Sequence, residues 1–407
     1  MPTTTTLNSS FALPQGAPAA ARRVFKLLAR LCHGSLDLQL PDGSSAHFGS
    51  PDGPRAQLRL RSWEPCAAAL RSGDIGLAES YLAGQWSSPD LRTLLELFIR
   101  NRATLEDLIY GRWWGALAYR LRHWAHRNSR AGSRKNIHAH YDLGNAFYRL
   151  WLDESMNYSS AWFDGDLAQP MRQAQQAKMR RALRECALQP GQRLLEIGCG
   201  WGALAECAAG EFEARVVGLT LSREQLAWGR ERLAQAGLAG RAELRYQDYR
   251  DIEDEPFDAI VSIEMFEAVG RAYWEGYFKT LHDRLKPGGR ACIQSITIRD
   301  ELFERYSRSS DFIQQYVFPG GMLPSPSQFR AQAERAGLRV VAELAFGTDY
   351  AETLRRWRED FIRREAEVRE QGFDARFLRL WEFYLAYCEA AFATGNTDVM
   401  QFTLVRD

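Results

Sequence analysis

Residues 194–202 carry the arrangement of side chains best suited to hold a small charged ligand. An apolar run contains one acid, Glu196, and leads into three glycines at alternate positions, Gly198, Gly200 and Gly202. Glycine permits a tight backbone turn and a close approach of the backbone to a ligand. The carboxylate ahead of the glycines suits a positively charged ligand, such as S-adenosylmethionine (SAM) with its ammonium and sulfonium groups. The sequence therefore predicts a SAM site here.

The same residues are compatible with two alternatives to a SAM site. A dinucleotide fingerprint would read G-x-G-x-x-G and place an acid about 20 residues further on. Here the next apolar run, residues 215–221, offers Thr220 where that acid would stand. The other alternative is a glycine-rich turn between a strand and a helix that binds no ligand.

Strand and helix patterns alternate regularly from residue 189 onward. Strands are predicted at 193–198, 215–221, 242–247, 257–263, 290–298, 338–346 and 399–405. Helices are predicted near 202–210, 223–237, 273–286, 326–336, 351–370 and 374–393. Such alternation indicates parallel strands joined by crossover helices, with ligands at the carboxyl ends of the strands. The predicted fold is α/β, with a seven-stranded, doubly wound, Rossmann-like sheet.

The chain before this sheet has a different character. Residues 1–20 are rich in Thr, Ser, Pro and Ala, and we expect a disordered lead without a signal peptide. Residues 21–110 predict a small α+β module without a catalytic constellation, suited to lipid docking or dimerisation.

Residues 111–135 form a basic, aromatic connecting segment. They contain seven Arg and Lys residues and no acid, so the segment is positively charged, and Trp and Tyr are interleaved with the basic residues. A helix lying on an anionic membrane surface has this composition. Nucleic-acid binding uses the same residue types. An interdomain helix with solvated arginines is a further alternative, and the segment alone does not decide between them.

Composition narrows the possible partners and compartment. The 52 basic and 51 acidic residues nearly cancel, so no global attraction to nucleic acid is expected. The seven cysteines form no C-x-x-C pair, so neither a disulfide framework nor a metal site is predicted, and a cytoplasmic location fits. No uncharged apolar run approaches the roughly 18 residues that a transmembrane helix needs.

Several separated motifs then support a family resemblance over residues 135–407. They are Ile137-x-x-His140-Tyr141-Asp142-Leu143-Gly144-Asn145, Trp151-Leu152-Asp153, Met156-Asn157-Tyr158-Ser159-Ser160, the glycine run, Val217-Gly218-Leu219-Thr220-Leu221-Ser222-x-x-Gln225, Met265-Phe266-Glu267-x-Val269-Gly270 and Tyr316-Val317-Phe318-Pro319-Gly320-Gly321-x-Leu323-Pro324-Ser325. In these motifs the chain resembles the cyclopropane-fatty-acyl-phospholipid synthases, including the mycolic acid cyclopropane synthases. The resemblance implies a class I SAM-methyltransferase domain over 136–407. It also implies addition of a methylene group from SAM across a cis double bond of a phospholipid acyl chain.

The resemblance further implies which residues bind SAM. The implied set is Tyr158, Ser159, Glu196, Gly198, Gly200, Gly202, Thr220, Leu221, Gln225, Asp248 and Tyr249. Tyr158 and Ser159 would close over SAM, and Asp248 and Tyr249 would border the adenine. Gln225 would bond the ribose hydroxyls as a neutral amide, although without the resemblance a solvated residue at the start of a helix would be the simpler interpretation.

Ring closure needs a base, and the resemblance implies a bound bicarbonate ion in that role. The positions implied to hold it are Ser160, Glu267, Gln294 and Tyr350. The family often has Cys at the first of these positions and His at the third, so the chain departs from the pattern there. Simpler interpretations are a helix N-terminal acid for Glu267 and a surface tyrosine for Tyr350.

Residues 300–323 are predicted to form a lid over the acyl chain, or alternatively a helix pair that only covers the sheet. The partners implied are membrane phospholipids, with peripheral contact at the inner membrane surface and a homodimer. Two other functions stay open. One is SAM-dependent C-methylation that gives methyl- or methylene-branched chains, and the other is a non-catalytic lipid- or SAM-binding accessory protein.

Overall fold

The computed structural model describes residues 16–105 and 143–407. The chain divides into two compact units, residues 1–117 and 118–407, and each is described by itself. The described residues therefore leave out residues 1–15 of the predicted lead and the whole basic segment 111–135. None of the helices in the described ranges combines the length and the apolar composition that a membrane span requires.

The first unit is an α+β fold around a four-stranded sheet. Its elements are α1 (Ala19–Leu28), β1 (Ser35–Gln39), β2 (Ser45–Gly49), β3 (Arg55–Leu60), α2 (Glu64–Leu82), β4 (Trp86–Ser87) and α3 (Leu91–Arg100). The strand order is β2-β1-β3-β4, and β1 and β3 are parallel. Alternate residues of β3 are buried, as expected for a sheet with one covered face.

Asn101, directly after α3, ties the end of this helix to the segment before β1. Its Oδ1 accepts hydrogen bonds from the amides of Cys32 (2.9 Å) and His33 (3.1 Å). Its Nδ2 donates to the carbonyl oxygens of His33 (2.6 Å) and Leu97 (2.9 Å). The side chain is 2 % exposed, so these backbone groups have little access to water as an alternative partner.

We expect Asn101→Ala to lower the free energy of local unfolding of the first unit by about 2–3 kcal/mol, because buried amides and carbonyls would lose their partners. Hydrogen exchange of α3 and β1, followed by mass spectrometry, measures this change. The exposed Arg59→Ala is the control and should change exchange little. Unchanged protection in Asn101→Ala would show that the side chain does not hold the two segments together.

The second unit contains the predicted sheet. Its first elements are α4 (Asn145–Tyr148), α5 (Met171–Glu185), β5 (Arg193–Ile197), α6 (Ala203–Glu211), β6 (Arg215–Thr220), α7 (Arg223–Gln235), β7 (Ala242–Tyr246) and β8 (Phe257–Ile263). Then follow α8 (Trp274–Arg284), β9 (Leu285–Ile298), α9 (Asp300–Tyr306), α10 (Phe312–Tyr316), α11 (Pro326–Arg335), β10 (Leu338–Ala345), α12 (Gly347–Arg363), α13 (Glu365–Glu370), α14 (Ala375–Ala393) and β11 (Thr397–Arg406).

The strand order is β10-β11-β9-β8-β5-β6-β7, and β11 runs antiparallel to both of its neighbours. Successive residues of a strand point to opposite faces. Accordingly, Leu194 packs in a core with α5, α6 and α7, whereas Leu195 packs in a second core with α8 and α11. Because both faces are covered, the strands are nearly continuous apolar runs. The predicted seven-stranded, doubly wound α/β fold is confirmed.

The largest differences between the predicted and observed elements lie in three parts of the chain. Strand β9 begins at Leu285 and not at 290, because Leu285 already pairs with Phe257 ahead of the turn at Gly288, whose φ is +73°. The helix predicted over 351–370 starts at Gly347 and is divided into α12 and α13. Tyr350 consequently lies in the first turn of α12, where its side chain faces inward. The predicted lid, residues 300–323, contains the short helices α9 and α10.

Candidate active site

The glycine run forms the turn between β5 and α6, at the carboxyl edge of the sheet. Gly198 has φ +86°, and a Cβ there would lie 2.9 Å from the Met265 side chain. Gly200 has φ +50° and open space where a Cβ would stand. A larger residue is therefore excluded at the first position, and the backbone is accessible at the second. Gly202 instead packs against Gly229 of α7.

A cavity of about 160 Å³ lies against this turn, and we call it the glycine-loop cavity. Of the predicted SAM-binding residues, it is lined by Tyr158, Ser159, Glu196, Gly198, Gly200, Thr220, Leu221, Gln225 and Tyr249. Met156 and Asn157, which the sequence placed in a family motif without a binding role, line it as well, and so do Gln247 and Glu264, which were not predicted.

Gly202 and Asp248 do not line the glycine-loop cavity. The Asp248 carboxylate accepts hydrogen bonds from Arg250, including Nη2 to Oδ2 at 2.6 Å, and the Asp248 side chain is buried. Arg250 therefore neutralises the negative charge of Asp248. Of the two residues predicted to border the adenine, only Tyr249 lines the glycine-loop cavity.

Glu196 carries the electrostatic character of the glycine-loop cavity. The residue is 3 % exposed, and its Oε2 has no hydrogen-bond partner among the described residues. Burial raises the pKa of this carboxyl to about 8, although the Ala205 amide and the Lys178 ammonium oppose that rise. A buried carboxylate oxygen without a partner costs free energy unless a donor or a cation reaches it. The residues present thus fit a cationic ligand such as SAM.

Polar pairs arrange the rest of the cavity wall. The Thr220 hydroxyl donates to Gln225 Oε1 at 2.9 Å, which leaves the Gln225 amide nitrogen as the group able to donate to a ligand. Ser159 Oγ accepts a hydrogen bond of 2.6 Å from Lys178 Nζ. The Tyr158 hydroxyl lies 2.7 Å from the Tyr384 hydroxyl, which connects the motif before α5 with α14.

A second cavity, of about 200 Å³, adjoins the first, and we call it the apolar cavity. Its walls come from α10 and the segment after it, and from α12 and α14, including Ile313, Phe318, Leu354, Tyr387 and Phe392. Residues from the predicted lid thus line it. Phe312 and Val317 of the same segment are buried, and Phe312 packs edge-on against Phe383 of α14.

Three residues line both cavities: Tyr158, Glu264 and Ala268. Glu264 follows the last residue of β8 and has φ +49°, a left-handed conformation that is uncommon for a residue with a side chain. Sequence reasoning missed this acid, although it stands at the carboxyl end of a predicted strand, just before the Met265-Phe266-Glu267 motif.

The four residues predicted to hold bicarbonate lie close together around Glu264. The Ser160 amide and Gln294 Nε2 donate to Glu264 Oε1 at 2.8 and 2.7 Å, and the Tyr350 hydroxyl donates to Oε2 at 2.6 Å. The Ser160 hydroxyl donates instead to the neighbouring carbonyl of Ala161. Glu267 accepts a hydrogen bond from the Ile296 amide, and its Oε2 has no partner among the described residues.

This architecture defines a class I SAM-methyltransferase: a seven-stranded sheet with one antiparallel strand, and a glycine turn with a buried acid at its carboxyl edge. The comparisons with known proteins identify the family. The sequence model of the mycolic acid cyclopropane synthetase family matches residues 128–402. The chain therefore belongs to the mycolic acid cyclopropane synthetase family of SAM-dependent methyltransferases.

Individual relatives cover different shares of the chain. Tuberculostearic acid methyltransferase UfaA1 of Mycobacterium tuberculosis is 38 % identical over 97 % of this chain and 94 % of its own. Cyclopropane-fatty-acyl-phospholipid synthase of Escherichia coli is 33 % identical over 86 % of this chain and 88 % of its own. The crystal structure of mycolic acid cyclopropane synthase CmaA1 complexed with SAH and CTAB aligns with a TM-score of 0.63 and 32 % identity, covering 67 % of this chain and 97 % of that one.

Proposed function

We propose that the protein transfers the methyl carbon of SAM to a cis double bond in an acyl chain of a membrane phospholipid and closes the product to a cyclopropane ring. The observation that carries the proposal is the pair of adjoining cavities with Glu264 on the wall of both. Bound SAM supplies an electrophilic methyl group on a sulfonium centre. An alkene is a weak nucleophile, so the residues must hold the two reactants in line and keep water out.

The described residues meet these requirements in separate ways. Glu196 offers a buried carboxyl that ionises when the cationic ligand binds. Tyr158 stands between the cavities, and its hydroxyl is held by Tyr384. The apolar cavity presents Ile313, Leu354 and Phe392 to an acyl chain. Such walls do not solvate an alkyl cation, so they favour its collapse by proton loss over capture by water.

The second candidate is formation of a methylene-branched chain, and the similarity to tuberculostearic acid methyltransferase UfaA1 favours it. Methyl transfer to the alkene is the same step. A hydride shift along the chain before proton loss would give an exocyclic methylene group, which is an isomer of the ring. A saturated methyl branch would need a reductant in addition.

The proposal extends to the setting of the reaction. A phospholipid substrate implies peripheral contact with the inner membrane surface, and the basic aromatic segment 111–135 has the composition for contact with anionic headgroups. A cytoplasmic location and a homodimer are parts of the same proposal.

The purified protein, incubated with SAM and vesicles of a cis-monounsaturated phosphatidylglycerol, should add one CH₂ per modified acyl chain and form S-adenosylhomocysteine. Mass spectrometry detects the gain, and proton NMR in the cyclopropyl region separates the ring from the methylene branch. Vesicles of the saturated lipid are the control. SAM binding without any gain in mass would contradict the proposal and support a non-catalytic accessory protein.

A further inference from the structure

The residues predicted to hold a bicarbonate ion already hold a carboxylate of the chain itself. Three donors from distant parts of the sequence converge on Glu264: the Ser160 amide, Gln294 Nε2 and the Tyr350 hydroxyl, at 2.6–2.8 Å. Together they supply three hydrogen bonds to the two carboxylate oxygens. This is the pattern expected around an ionised acceptor.

A bicarbonate ion does not fit these residues. The hydrogens that would bind it point at Glu264, and the Ser160 hydroxyl is used by the Ala161 carbonyl. A second anion would also stand beside the carboxylates of Glu264 and Glu267, and like charges at such short range repel strongly where water is scarce. The site therefore supplies its own carboxylate where the family resemblance implied an external one.

We propose that the Glu264 carboxylate is the base that removes the proton from the alkylated acyl chain, in the place implied for bicarbonate. This inference rests on the proposed function of SAM-dependent alkylation. Glu264 lines both cavities, so its oxygens can face a carbon that moves from one ligand to the other. A general base must lie within hydrogen-bond reach of the proton that it removes.

The backbone at Glu264 is consistent with a functional role. Its φ of +49° costs a residue with a side chain about 1 kcal/mol or more relative to an ordinary conformation. Glycine would adopt this backbone without that cost. The acid is held in this conformation, and its carboxylate is placed where three donors meet.

Glu264 and Glu267 lie in different electrostatic environments. Burial raises the pKa of both carboxyls, but the Tyr350 hydroxyl, the Lys178 ammonium, the Ser160 amide and Gln294 oppose the rise at Glu264. At Glu267, burial and then the charge of Glu264 raise the pKa to about 8. Burial also raises the pKa of Tyr350, so this phenol remains a donor. Hydrogen bonds and the Lys178 ammonium favour ionisation at Glu264, whereas the charge of Glu264 opposes ionisation at Glu267, so Glu264 is the acid suited to serve as base.

Gln401 acts as a positioning residue for this base. Its Nε2 donates to Gln294 Oε1 at 2.9 Å, and its Oε1 accepts from Arg181 Nη1. Because the oxygen of Gln294 is engaged by a donor, its amide nitrogen must point at Glu264. The orientation of the predicted ligand Gln294 is thus fixed from β11.

The electrons of the step balance without another reactant. The C–S bond breaks and its electron pair stays on sulfur, while the alkene pair forms the new C–C bond and leaves a cation on the adjacent carbon. A C–H bond of the transferred methyl group then supplies the pair that closes the ring. The proton passes to Glu264, which returns it to solvent after the product leaves.

The test compares wild type with Glu264→Gly and Glu264→Gln in buffer freed of CO₂ and in buffer with added bicarbonate. Wild-type turnover should be the same in both. Both variants should lose turnover by about 1,000-fold, within the usual range for a general base. Bicarbonate should restore part of the turnover of Glu264→Gly, which opens the space, and none of that of Glu264→Gln, which fills it.

A binding measurement makes the test independent of turnover. By NMR of ¹³C-labelled bicarbonate, Glu264→Gly should bind the ion and wild type should not. Asp258→Asn is the matched control, since it removes a carboxylate at the other end of β8, six residues and roughly 20 Å away. It should keep the turnover and the SAM affinity of wild type, and the turnover of each Glu264 variant is measured at a SAM concentration that saturates it.

Two results would overturn the inference: wild-type turnover that requires bicarbonate, or ¹³C-bicarbonate binding to wild type that Glu264→Gly does not increase. Failure of the proposed function looks different. In that case wild type yields no modified lipid in either buffer, while the bicarbonate-binding experiment still reports whether Glu264 fills the place of the ion.

Discussion

Glu196→Gln should weaken SAM binding by about 100-fold at pH 8.5, as measured by isothermal titration calorimetry. The magnitude corresponds to about 2.7 kcal/mol, which is at the lower end for removing one partner of a buried charge pair. Glutamine keeps the shape of the side chain and loses only the charge. Oε2 of Glu196 lacks a partner among the described residues, so the variant breaks no hydrogen bond of that oxygen in the free protein.

The same residue should make SAM binding depend on pH. The pKa of Glu196 is raised to about 8, so the carboxyl is mostly protonated below that pH in the free protein. A cation binds the ionised form better, and binding must therefore expel the proton. Relative to the affinity of Glu196→Gln, the affinity of wild type should consequently fall about tenfold per pH unit below pH 8 and level off above it.

The variant separates this effect from the titration of SAM itself, whose α-amino group ionises in the same range of pH. Both proteins experience the titration of the ligand, and only wild type experiences that of Glu196. Calorimetry in buffers of different ionisation enthalpy counts the protons released. Equal proton release by wild type and Glu196→Gln at pH 7 would show that Glu196 is not the group that meets the cation.

The frame of the site follows from local sequence patterns, because strands and glycine turns are local. The run that contains Glu196 and the three glycines predicts where a strand ends, and the alternation beyond residue 189 predicts a sheet with this end at its ligand-binding edge. The start of β9 at Leu285 was not predictable in the same way. That boundary depends on pairing with Phe257, a contact between strands.

The partners of Glu264 could not be read from the sequence for a similar reason. Its three donors are 104, 30 and 86 residues away along the chain. The family resemblance implied that Ser160, Gln294 and Tyr350 lie close together, but it assigned a bicarbonate ion as the group that they bind. An acid at the carboxyl end of β8 was a signal that could have suggested the alternative.

Nothing in the sequence indicated that Lys178 is buried at the site. It lies in α5, in the sequence Ala177-Lys178-Met179-Arg180-Arg181, which resembles an exposed basic helix face. In the structure its side chain is 0 % exposed, and its ammonium group donates to Ser159 Oγ. A lysine is buried in this way only where acids nearby compensate its charge.

We expect Lys178→Met to move the acid limb of the kcat profile, measured at saturating SAM, upward by about one to two pH units, given the usual effect of an opposite charge nearby. The Lys178 ammonium lowers the pKa of Glu264, and it also faces Asp153 and Glu196. Without it, Glu264 takes up a proton at higher pH. Since the base is active only when ionised, turnover on the acid side of the wild-type limb should fall by about 10- to 100-fold.

The position of the limb distinguishes an electrostatic role from a structural one. Removing the compensating charge also destabilises the fold, by about 3–5 kcal/mol, and such damage lowers the rate at every pH without moving the limb. Recovery of turnover toward the wild-type value at alkaline pH would show that the base itself is intact. Lys286→Met is the control, because this half-exposed lysine bonds Asp258 at the opposite end of β8. A limb that stays at the wild-type pH in Lys178→Met would mean that the charge of Lys178 does not act on the base, and the three hydrogen-bond donors alone would then account for the ionisation of Glu264.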